Sequence, residues 1–241
     1  MTSGVPLHHL VRPVGAFLMM FLAGRCSAQD DYDAARRTMI EQHLKGRDIT
    51  DSAVLEAMAA VPRHLFVPAA LRLSAYVDHA LPIGGGQTIS QPYIVALMTQ
   101  LAEVDTEDVV LEIGTGSGYQ AAILSKLARE VYSIEIRPEL AASARQRLSE
   151  LGYGNVTVKT GDGYIGWEEK GPFDAILVTA APPEVPPPLV EQLRPGGVMV
   201  IPVGEQSTVQ KLLRIRKARD ESTTTDEIIP VVFVPLVREK G

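Results

Sequence analysis

The chain has 241 residues, a length that suits one large domain with a single hydrophobic core and therefore one active site. Hydrophobic residues make up 46% of the chain and charged residues 22%, a composition that excludes intrinsic disorder and the fibrous classes. The formal net charge is −6 at pH 7 and no basic stripe could neutralise a phosphate backbone, so nucleic acid is not expected as a partner.

Residues 1–29 have the pattern of a secretory signal peptide. Arg12 precedes an apolar run over residues 14–24, and the small residues before Gln29 favour a cleavage site after Ala28. The run is too short to cross a bilayer, which takes about 20 apolar residues, so an integral membrane span is not expected. Cleavage would leave a mature chain without cysteine, which would exclude disulfides and thiol catalysis. The alternative is an unstructured extension or a mis-assigned start.

Residues 30–104 are predicted to form a helical N-terminal part followed by loops. Apolar residues recur at helical spacing from Asp30 to about Ala60, and Thr50 is placed to cap a helix that begins at Asp51. Glycine and proline become frequent between residues 61 and 92, with apolar residues between them, which indicates ordered loops rather than a linker. A substrate site could be built in these loops.

Residues 105–241 alternate short apolar runs with helical stretches, as a doubly wound sheet requires. Two late β-rich runs, Val209–Ile215 and Ile228–Val234, have no helix between them and predict an antiparallel hairpin at the end of the sheet. The fold class is therefore α/β, with a doubly wound, mostly parallel sheet. The predicted parallel strands are Val109–Ile113, Val131–Ile136, Val156–Lys159, Phe173–Val178 and Val198–Val203, and the predicted helices are Gly118–Arg129, Pro138–Leu151 and Pro188–Leu193.

Three alternating glycines, Gly114, Gly116 and Gly118, lie between the first of these strands and the helix after it. Glycine there allows positive φ and lets a ligand approach the backbone, because no Cβ is in the way. Glu135 ends the next strand 21 positions beyond Gly114, where doubly wound nucleotide-binding folds place an acid on ribose hydroxyls. Tight packing of the strand on the helix is the alternative explanation of the glycines.

The residues around this loop favour a positively charged cofactor over a dinucleotide. The dinucleotide fingerprint needs glycine at position 119, and this chain has Tyr119. Glu112 lies just ahead of the loop, where a carboxylate disfavours a pyrophosphate but suits a sulfonium and an amino group. We therefore predict a site for S-adenosylmethionine.

Asp162 and Gly163 follow the third predicted strand, at a position that would face the adenine end of this cofactor. Open α/β sheets bind ligands at the carboxyl ends of their strands, which favours a cofactor contact. Because Asp and Gly are frequent turn residues, a simple turn is the alternative interpretation.

The segment from Tyr76 to Pro92 closely resembles the signature loop of the protein-L-isoaspartate O-methyltransferases. The resemblance covers roughly residues 32–237. Ala80 replaces a proline that is usual in the family's loop, a change that removes no chemical group. Further matching segments are Arg63–Pro68, Leu111–Ala122, Pro172–Ala181, Leu193–Gly197, Ile201–Gly204 and Val232–Leu236.

The resemblance implies a seven-stranded, Rossmann-like methyltransferase fold and an enzyme that transfers the methyl group of S-adenosylmethionine to carboxylates in proteins. Its substrates would be age-damaged proteins and peptides with L-isoaspartyl or D-aspartyl residues, whose repair begins with this step. We expect a monomer in the cytoplasm, where the methyl donor is made, with the periplasm as the alternative because of the signal-like segment. The implied cofactor contacts are Glu112, Gly114, Gly116, Glu135, Asp162 and Gly163, and the implied active-site residue is Ser90.

The expected chemistry needs neither a metal ion nor a general base. A carboxylate with a pKa of about 4 is already ionised at neutral pH, so the protein has only to align it with the methyl group and sulfur. Ser90 can hold the carboxylate through one hydrogen bond, and its alternative role is to cap the helix that starts near Pro92. His64 and His79 are better explained as loop-supporting or exposed side chains than as catalysts.

Three rival functions stay open on the residues alone. An NAD-dependent oxidoreductase is disfavoured by Tyr119 and by the lack of a hydride-handling pair. A cofactor-binding module without turnover is conceivable because of the leader, although the intact Ser90, Asp162 and glycine loop argue against it. A methyltransferase with a different carboxylate substrate would carry the same cofactor loop.

Overall fold

A computed structural model describes residues 1–2, 23–205 and 208–238. The apolar run of the predicted leader therefore lies almost entirely outside the described residues. Within the described part of the chain, no helix is both long and apolar enough to cross a membrane.

The N-terminal part is helical, as expected from the spacing of its apolar residues. Its buried side chains, which include Met39, Leu44 and Met58, join the main hydrophobic core of the protein. Helix α1 spans Ala23–Thr38 and continues as a π-helix over Met39–Lys45, helix α2 spans Ser52–Ala60, and two short 3₁₀ helices span Arg63–Leu65 and Ala69–Ser74.

Helix α2 is capped by Asp51, so the predicted cap at Thr50 is wrong by one residue. The Asp51 carboxylate accepts hydrogen bonds from the amides of Ala53 and Val54, at 2.8 and 3.1 Å. A hydroxyl or a carboxylate can accept from these free amides. Only the carboxylate carries a negative charge that also interacts favourably with the positive end of the helix dipole. The amide of Thr50 instead donates to the side chain of Gln100.

A small antiparallel hairpin occupies the glycine- and proline-rich segment that was predicted to be loop. Strand β1 spans Leu81–Gly84 and strand β2 spans Gln87–Ile89. The turn residues Gly84, Gly85 and Gly86 all have positive φ, at 96°, 58° and 72°. Helix α3, Pro92–Leu101, follows two residues after the hairpin.

The main sheet has seven strands in the order β5-β4-β3-β6-β7-β8-β9, which confirms the predicted fold class. Strands β3 to β7 are parallel, and β8 and β9 add an antiparallel hairpin at one edge, as predicted. The strands are β3 Val109–Ile113, β4 Glu130–Glu135, β5 Val156–Thr160, β6 Phe173–Val178, β7 Leu193–Val203, β8 Gln210–Lys217 and β9 Thr223–Val231. The helices between them are α4 Tyr119–Leu124, α5 Pro138–Glu150 and α6 Pro187–Gln192, with a 3₁₀ turn at Glu168–Lys170.

The first helix after the glycine loop is shorter than predicted, because α4 ends at Leu124 rather than at Arg129. The side chain of Asn155 donates to the carbonyls of Ser125 and Ala128, at 3.0 and 3.1 Å. These bonds come from the segment before β5 and satisfy carbonyls just past the helix end, so the chain can turn there.

The strand order reverses at β3, which lies between β4 and β6. In a doubly wound sheet, such a reversal opens a crevice beyond the carboxyl ends of the strands. Residues Val110, Leu111 and Ile113 of β3 are fully buried, so the core anchors the strand and only the loop after it reaches the crevice.

Candidate active site

A cleft lies at this crevice and encloses about 810 Å³ when the open solvent at its mouth is included. Its walls come from the hairpin segment Gln87–Ser90, the loop after β3, the end of β4 and the C-terminal segment Val234–Val237. Residues far apart in the sequence thus meet at one place.

The cleft brings together six of the seven residues that the sequence singled out. Asp162 is not part of the wall, although its neighbour Gly163 is. One carboxylate oxygen of Asp162 accepts from the amide of Tyr164 at 2.8 Å, which is the turn contact that the sequence also allowed. The six wall residues are Ser90, Glu112, Gly114, Gly116, Glu135 and Gly163.

The glycine loop adopts a conformation that other residues rarely take. Gly114, Gly116 and Gly118 have φ values of 101°, 52° and 86°. A Cβ on Gly114 would lie 2.5 Å from the hydroxyl oxygen of Thr179. That hydroxyl is within hydrogen-bonding distance of the carbonyls of Ile113 and Gly114, at 3.0 and 2.8 Å, so it has little freedom to move away. Glycine is required at position 114 for both its dihedral angle and its size.

Glu135 ties the end of β4 to the glycine loop. One carboxylate oxygen accepts from the amide of Gly116 at 2.8 Å, and the other accepts from the amide of Arg137 at 3.0 Å. Both bonds are charge-assisted and fix the carboxylate at the cleft wall. The sequence predicted an acid at this place, and the structure adds that this acid also holds the loop in shape.

Glu112 is a fully buried carboxyl group with one unsatisfied oxygen. Its Oε2 atom accepts from the hydroxyl of Ser133 at 2.5 Å, whereas Oε1 has no partner among the described residues. The pKa of Glu112 is raised to about 8: burial is the main cause, the hydrogen bond from Ser133 lowers the pKa, and the negative charge of Glu135 raises it. An unpaired buried acceptor is costly, so a donor or cation placed against Oε1 would be stabilised.

Ser90 is half-buried and lies between the end of β2 and the start of α3. Gln91 is the N-cap residue of α3, and no side chain caps this helix. The alternative role of Ser90 as a helix cap is therefore wrong. The carbonyl of Ser90 accepts a hydrogen bond from the guanidinium of Arg63 at 2.7 Å. The residue is thus held through its backbone.

A second groove adjoins the cleft and shares Thr88, Ser90, Thr179 and Val234 with it. Among its other wall residues are His79 and Phe233. Ser90 therefore lies where the cleft meets a surface groove.

Neither histidine considered from the sequence lies in the wall of the cleft. His64 is buried, stacks on Tyr32 at 4.0 Å between ring centroids, and places Nδ1 2.8 Å from the hydroxyl of Tyr76. Burial lowers the pKa of His64, and the positive charge of Arg36 lowers it further, which favours a neutral imidazole. His79 is exposed and contacts the carbonyl of Ala80.

Sequence reasoning assigned no role to several residues that build the site. Thr179 follows the apolar strand β6 at its carboxyl end, and that position alone could have marked it as a wall residue. Nothing in the sequence pattern marks Arg63 as a partner of Ser90. Among the described residues, no cluster of three or more His, Cys, Asp or Glu side chains is placed to hold a metal ion.

The model of the protein-L-isoaspartate(D-aspartate) O-methyltransferase family matches residues 34–241. The chain belongs to this family. A protein-L-isoaspartate O-methyltransferase 2 of Syntrophobacter fumaroxidans is 54% identical over 240 residues, which covers 93% of this chain and 97% of that protein. A protein-L-isoaspartate O-methyltransferase of Trichlorobacter lovleyi is 56% identical over 212 residues, or 88% of this chain and 97% of its own length.

Solved structures agree with the membership of the chain in the O-methyltransferase family. One is a provisionally assigned protein-L-isoaspartate O-methyltransferase from Plasmodium falciparum in complex with S-adenosyl-L-homocysteine. It is similar with a TM-score of 0.72 and 26% identity, over 86% of this chain and 99% of that one. The resemblance inferred from the segment Tyr76–Pro92 is therefore confirmed.

Proposed function

We propose that this protein transfers the methyl group of S-adenosylmethionine to the free carboxylate of L-isoaspartyl residues, and also of D-aspartyl residues, in damaged proteins, and so starts their repair. The observation that carries the proposal is the family match over residues 34–241, in a chain whose glycine loop and Ser90 line one cleft. The relative that contains S-adenosyl-L-homocysteine supports the choice of cofactor.

The residues of the cleft fit this cofactor. The unpaired oxygen of Glu112 suits a cationic group, and Gly114 and Gly116, both in the wall of the cleft, present backbone without a side chain to a ligand. When bound, adenosylmethionine supplies a methyl group on a positively charged sulfur. The wall residues that would hold it are Glu112, Gly114, Gly116, Glu135 and Gly163, and Asp162, next to Gly163 but outside the wall, is proposed as a further contact.

Ser90 is proposed to orient the substrate rather than to activate it. The substrate carboxylate, with a pKa of about 4, is already a nucleophile at neutral pH, so no side chain has to remove a proton. A hydrogen bond from the Ser90 hydroxyl would fix the direction of attack, and such orientation contributes several kcal/mol to rate. The adjoining groove gives a polypeptide a path to Ser90.

We also propose that the protein works as a monomer in the cytoplasm, where its methyl donor is made. The segment 30–104 would carry the substrate side of the site, residues 105–241 the cofactor side, and residues 1–29 a leader-like extension. Expression of the full chain in a Gram-negative host, followed by N-terminal sequencing, tests the location. A chain that starts at Met1 or Thr2 supports the cytoplasm, and one that starts at Gln29 contradicts it.

The experiment that tests the activity compares two synthetic peptides that differ only in an isoaspartyl or an aspartyl residue. With radiolabelled adenosylmethionine, label should enter the isoaspartyl peptide and not its twin. Label in neither peptide, from a protein that binds adenosylmethionine in calorimetry, would contradict the proposed substrate. Binding of NAD instead of adenosylmethionine would favour an oxidoreductase.

A further inference from the structure

Arg63 is a fully buried cation without an acidic partner. Its relative exposure is 0%, and among the described residues no carboxylate lies within ion-pair distance of its guanidinium. A buried charge without a counter-ion is costly, so the surrounding hydrogen bonds must offset a large desolvation penalty.

The guanidinium makes two short hydrogen bonds to backbone carbonyls. Nε donates to the carbonyl of Ala75 and Nη2 donates to the carbonyl of Ser90, each at 2.7 Å. The guanidinium carbon lies 4.8 Å from the ring centroid of Tyr119, the first residue of α4 after the glycine loop. Arg63 thus contacts the backbone of Ser90 on one side and a wall residue of the cofactor cleft on the other.

Ser90 needs such support because of its place in the chain. It follows the last paired residue of the hairpin, Ile89, and α3 begins only at Pro92. Neither the sheet nor the helix therefore fixes its carbonyl. The planar guanidinium can hold two carbonyls at once in a fixed geometry, which a single ammonium nitrogen cannot reproduce.

We propose that Arg63 is a positioning residue for the methyl transfer: it fixes the backbone of Ser90 so that the hydroxyl faces the cleft, and it ties this segment to Tyr119. The inference rests on the proposed function of Ser90. If Arg63 acts in this way, its loss should lower turnover through Ser90 and should leave cofactor binding almost unchanged.

The test uses Arg63→Lys, which retains the charge but not the two-pronged contact. We expect kcat for the isoaspartyl peptide to fall about 10- to 100-fold, more than KM changes, while the dissociation constant for adenosylmethionine stays within about twofold. The matched control is Arg36→Lys. Arg36 also donates to a backbone carbonyl, that of Ala59 at 3.0 Å, and to the hydroxyl of Tyr76 at 3.2 Å. Among the described residues it makes no hydrogen bond to Ser90, so its substitution should leave kcat unchanged.

The decisive readout is a double-mutant cycle with Ser90→Ala. A positioning role predicts that Arg63→Lys lowers kcat in the wild-type background but has almost no further effect once the Ser90 hydroxyl is absent. Losses that multiply in the double mutant would contradict the role of Arg63, and so would wild-type turnover in a folded Arg63→Lys protein. A wild-type chain that methylates neither peptide would instead overturn the proposed function itself.

A second variant covers the case in which Arg63→Lys does not fold. Arg63→Gln removes the buried charge and retains one donor, so it should fold and show the same dependence on Ser90. If neither variant gives a cooperative melting transition, Arg63 is a structural residue and the positioning role is wrong.

Discussion

Two glycine-rich segments border the cleft, and they use glycine for different reasons. The glycine loop after β3 and the β1–β2 turn both have positive φ at each of their three glycines. In the loop, a Cβ on Gly114 would lie 2.5 Å from the Thr179 hydroxyl, whereas nothing lies within 4 Å of a Cβ on Gly84 or Gly86. The loop needs glycine for space and for its dihedral angles, and the turn needs it for its dihedral angles alone.

The difference assigns separate tasks to the two sides of the cleft. The loop side is closely packed and contains the buried carboxyl group of Glu112, as expected of a preformed cradle for a cofactor. The hairpin side is open and leads to Ser90. Changes on the loop side should therefore weaken cofactor binding, and changes at Ser90 should lower turnover.

The largest expected effect is that of Ser90→Ala on turnover. Loss of one well-placed hydrogen bond should lower kcat by about 10- to 1000-fold and leave cofactor affinity nearly intact. Because the hydroxyl caps no helix, the melting temperature should not change. Steady-state kinetics with the isoaspartyl peptide, together with calorimetry and melting curves, check this. Earlier melting with wild-type turnover would show that Ser90 is structural.

The pH dependence of kcat tests whether Ser90 only orients the substrate and no side chain acts as a base. At saturating cofactor, kcat should stay flat between about pH 6 and 8, since no catalytic base titrates there. A steep change near pH 6.5 would require a histidine, and His64 and His79 would then be the first residues to mutate.

Gly116→Val should weaken adenosylmethionine binding by about 100-fold or more, because the branched side chain would press against Ile83 and resists the positive φ of the loop. The matched control is Gly86→Val on the other segment. It has a similar φ of 72° but open space around it, so it should bind the cofactor normally. Calorimetry measures the affinity of both folded variants for adenosylmethionine. Equal affinities would show that the two glycine segments do not differ in their role in cofactor binding.

Glu112→Gln should weaken cofactor binding by about 10-fold above pH 8, the scale of one charge-assisted hydrogen bond. The pKa of about 8 means that wild-type Glu112 is mostly protonated at pH 6. The effect of the substitution should therefore shrink as the pH falls, and wild-type affinity should rise between pH 6 and 8. Calorimetry across this range measures it, and a ratio of affinities that does not vary with pH would contradict it.

The free energy of unfolding of the cofactor-free protein should also depend on the titration of Glu112. Because folding raises the pKa of Glu112 from its ordinary 4.5 to about 8, the folded state binds more protons than the unfolded state between these values. The wild type should thus lose stability relative to Glu112→Gln as the pH rises from 4.5 to about 8, and the difference should stay constant above that. Urea unfolding of both proteins over this range is the check.

The smallest expected effect is that of Gly84→Ala on stability. The added Cβ meets no neighbouring atom, so the only cost is that of holding alanine at a positive φ, about 1 kcal/mol. Gly114→Ala adds a close contact with Thr179 and should cost about 2 kcal/mol more. Equal losses in urea unfolding of the two variants would mean that the contact at Gly114 relaxes freely.

The sheet, the glycine loop and the acid at the end of β4 could all be predicted from the sequence. The ends of β3 and β6 agree with the sequence pattern, because buried parallel strands appear as short apolar runs bounded by turn residues. Gly114 and Glu135 could be assigned because a close backbone approach and an acid at a strand end leave signals in one short stretch of chain. The hairpin before Ser90 was missed, since Pro82 and the three glycines are not typical of strands.

How the site residues are used follows from contacts that exist only in the folded chain. In the folded chain, Asp162 accepts a hydrogen bond from the amide of Tyr164 in its own turn, and Glu112 retains an unpaired oxygen. The carbonyl of Ser90 is held by Arg63, which lies 27 positions away in the sequence. Burial and the available partners determine each of these outcomes, and they arise from contacts between segments that are distant in sequence. Local patterns predict which groups are present, but desolvation and long-range hydrogen bonds decide what each group can do.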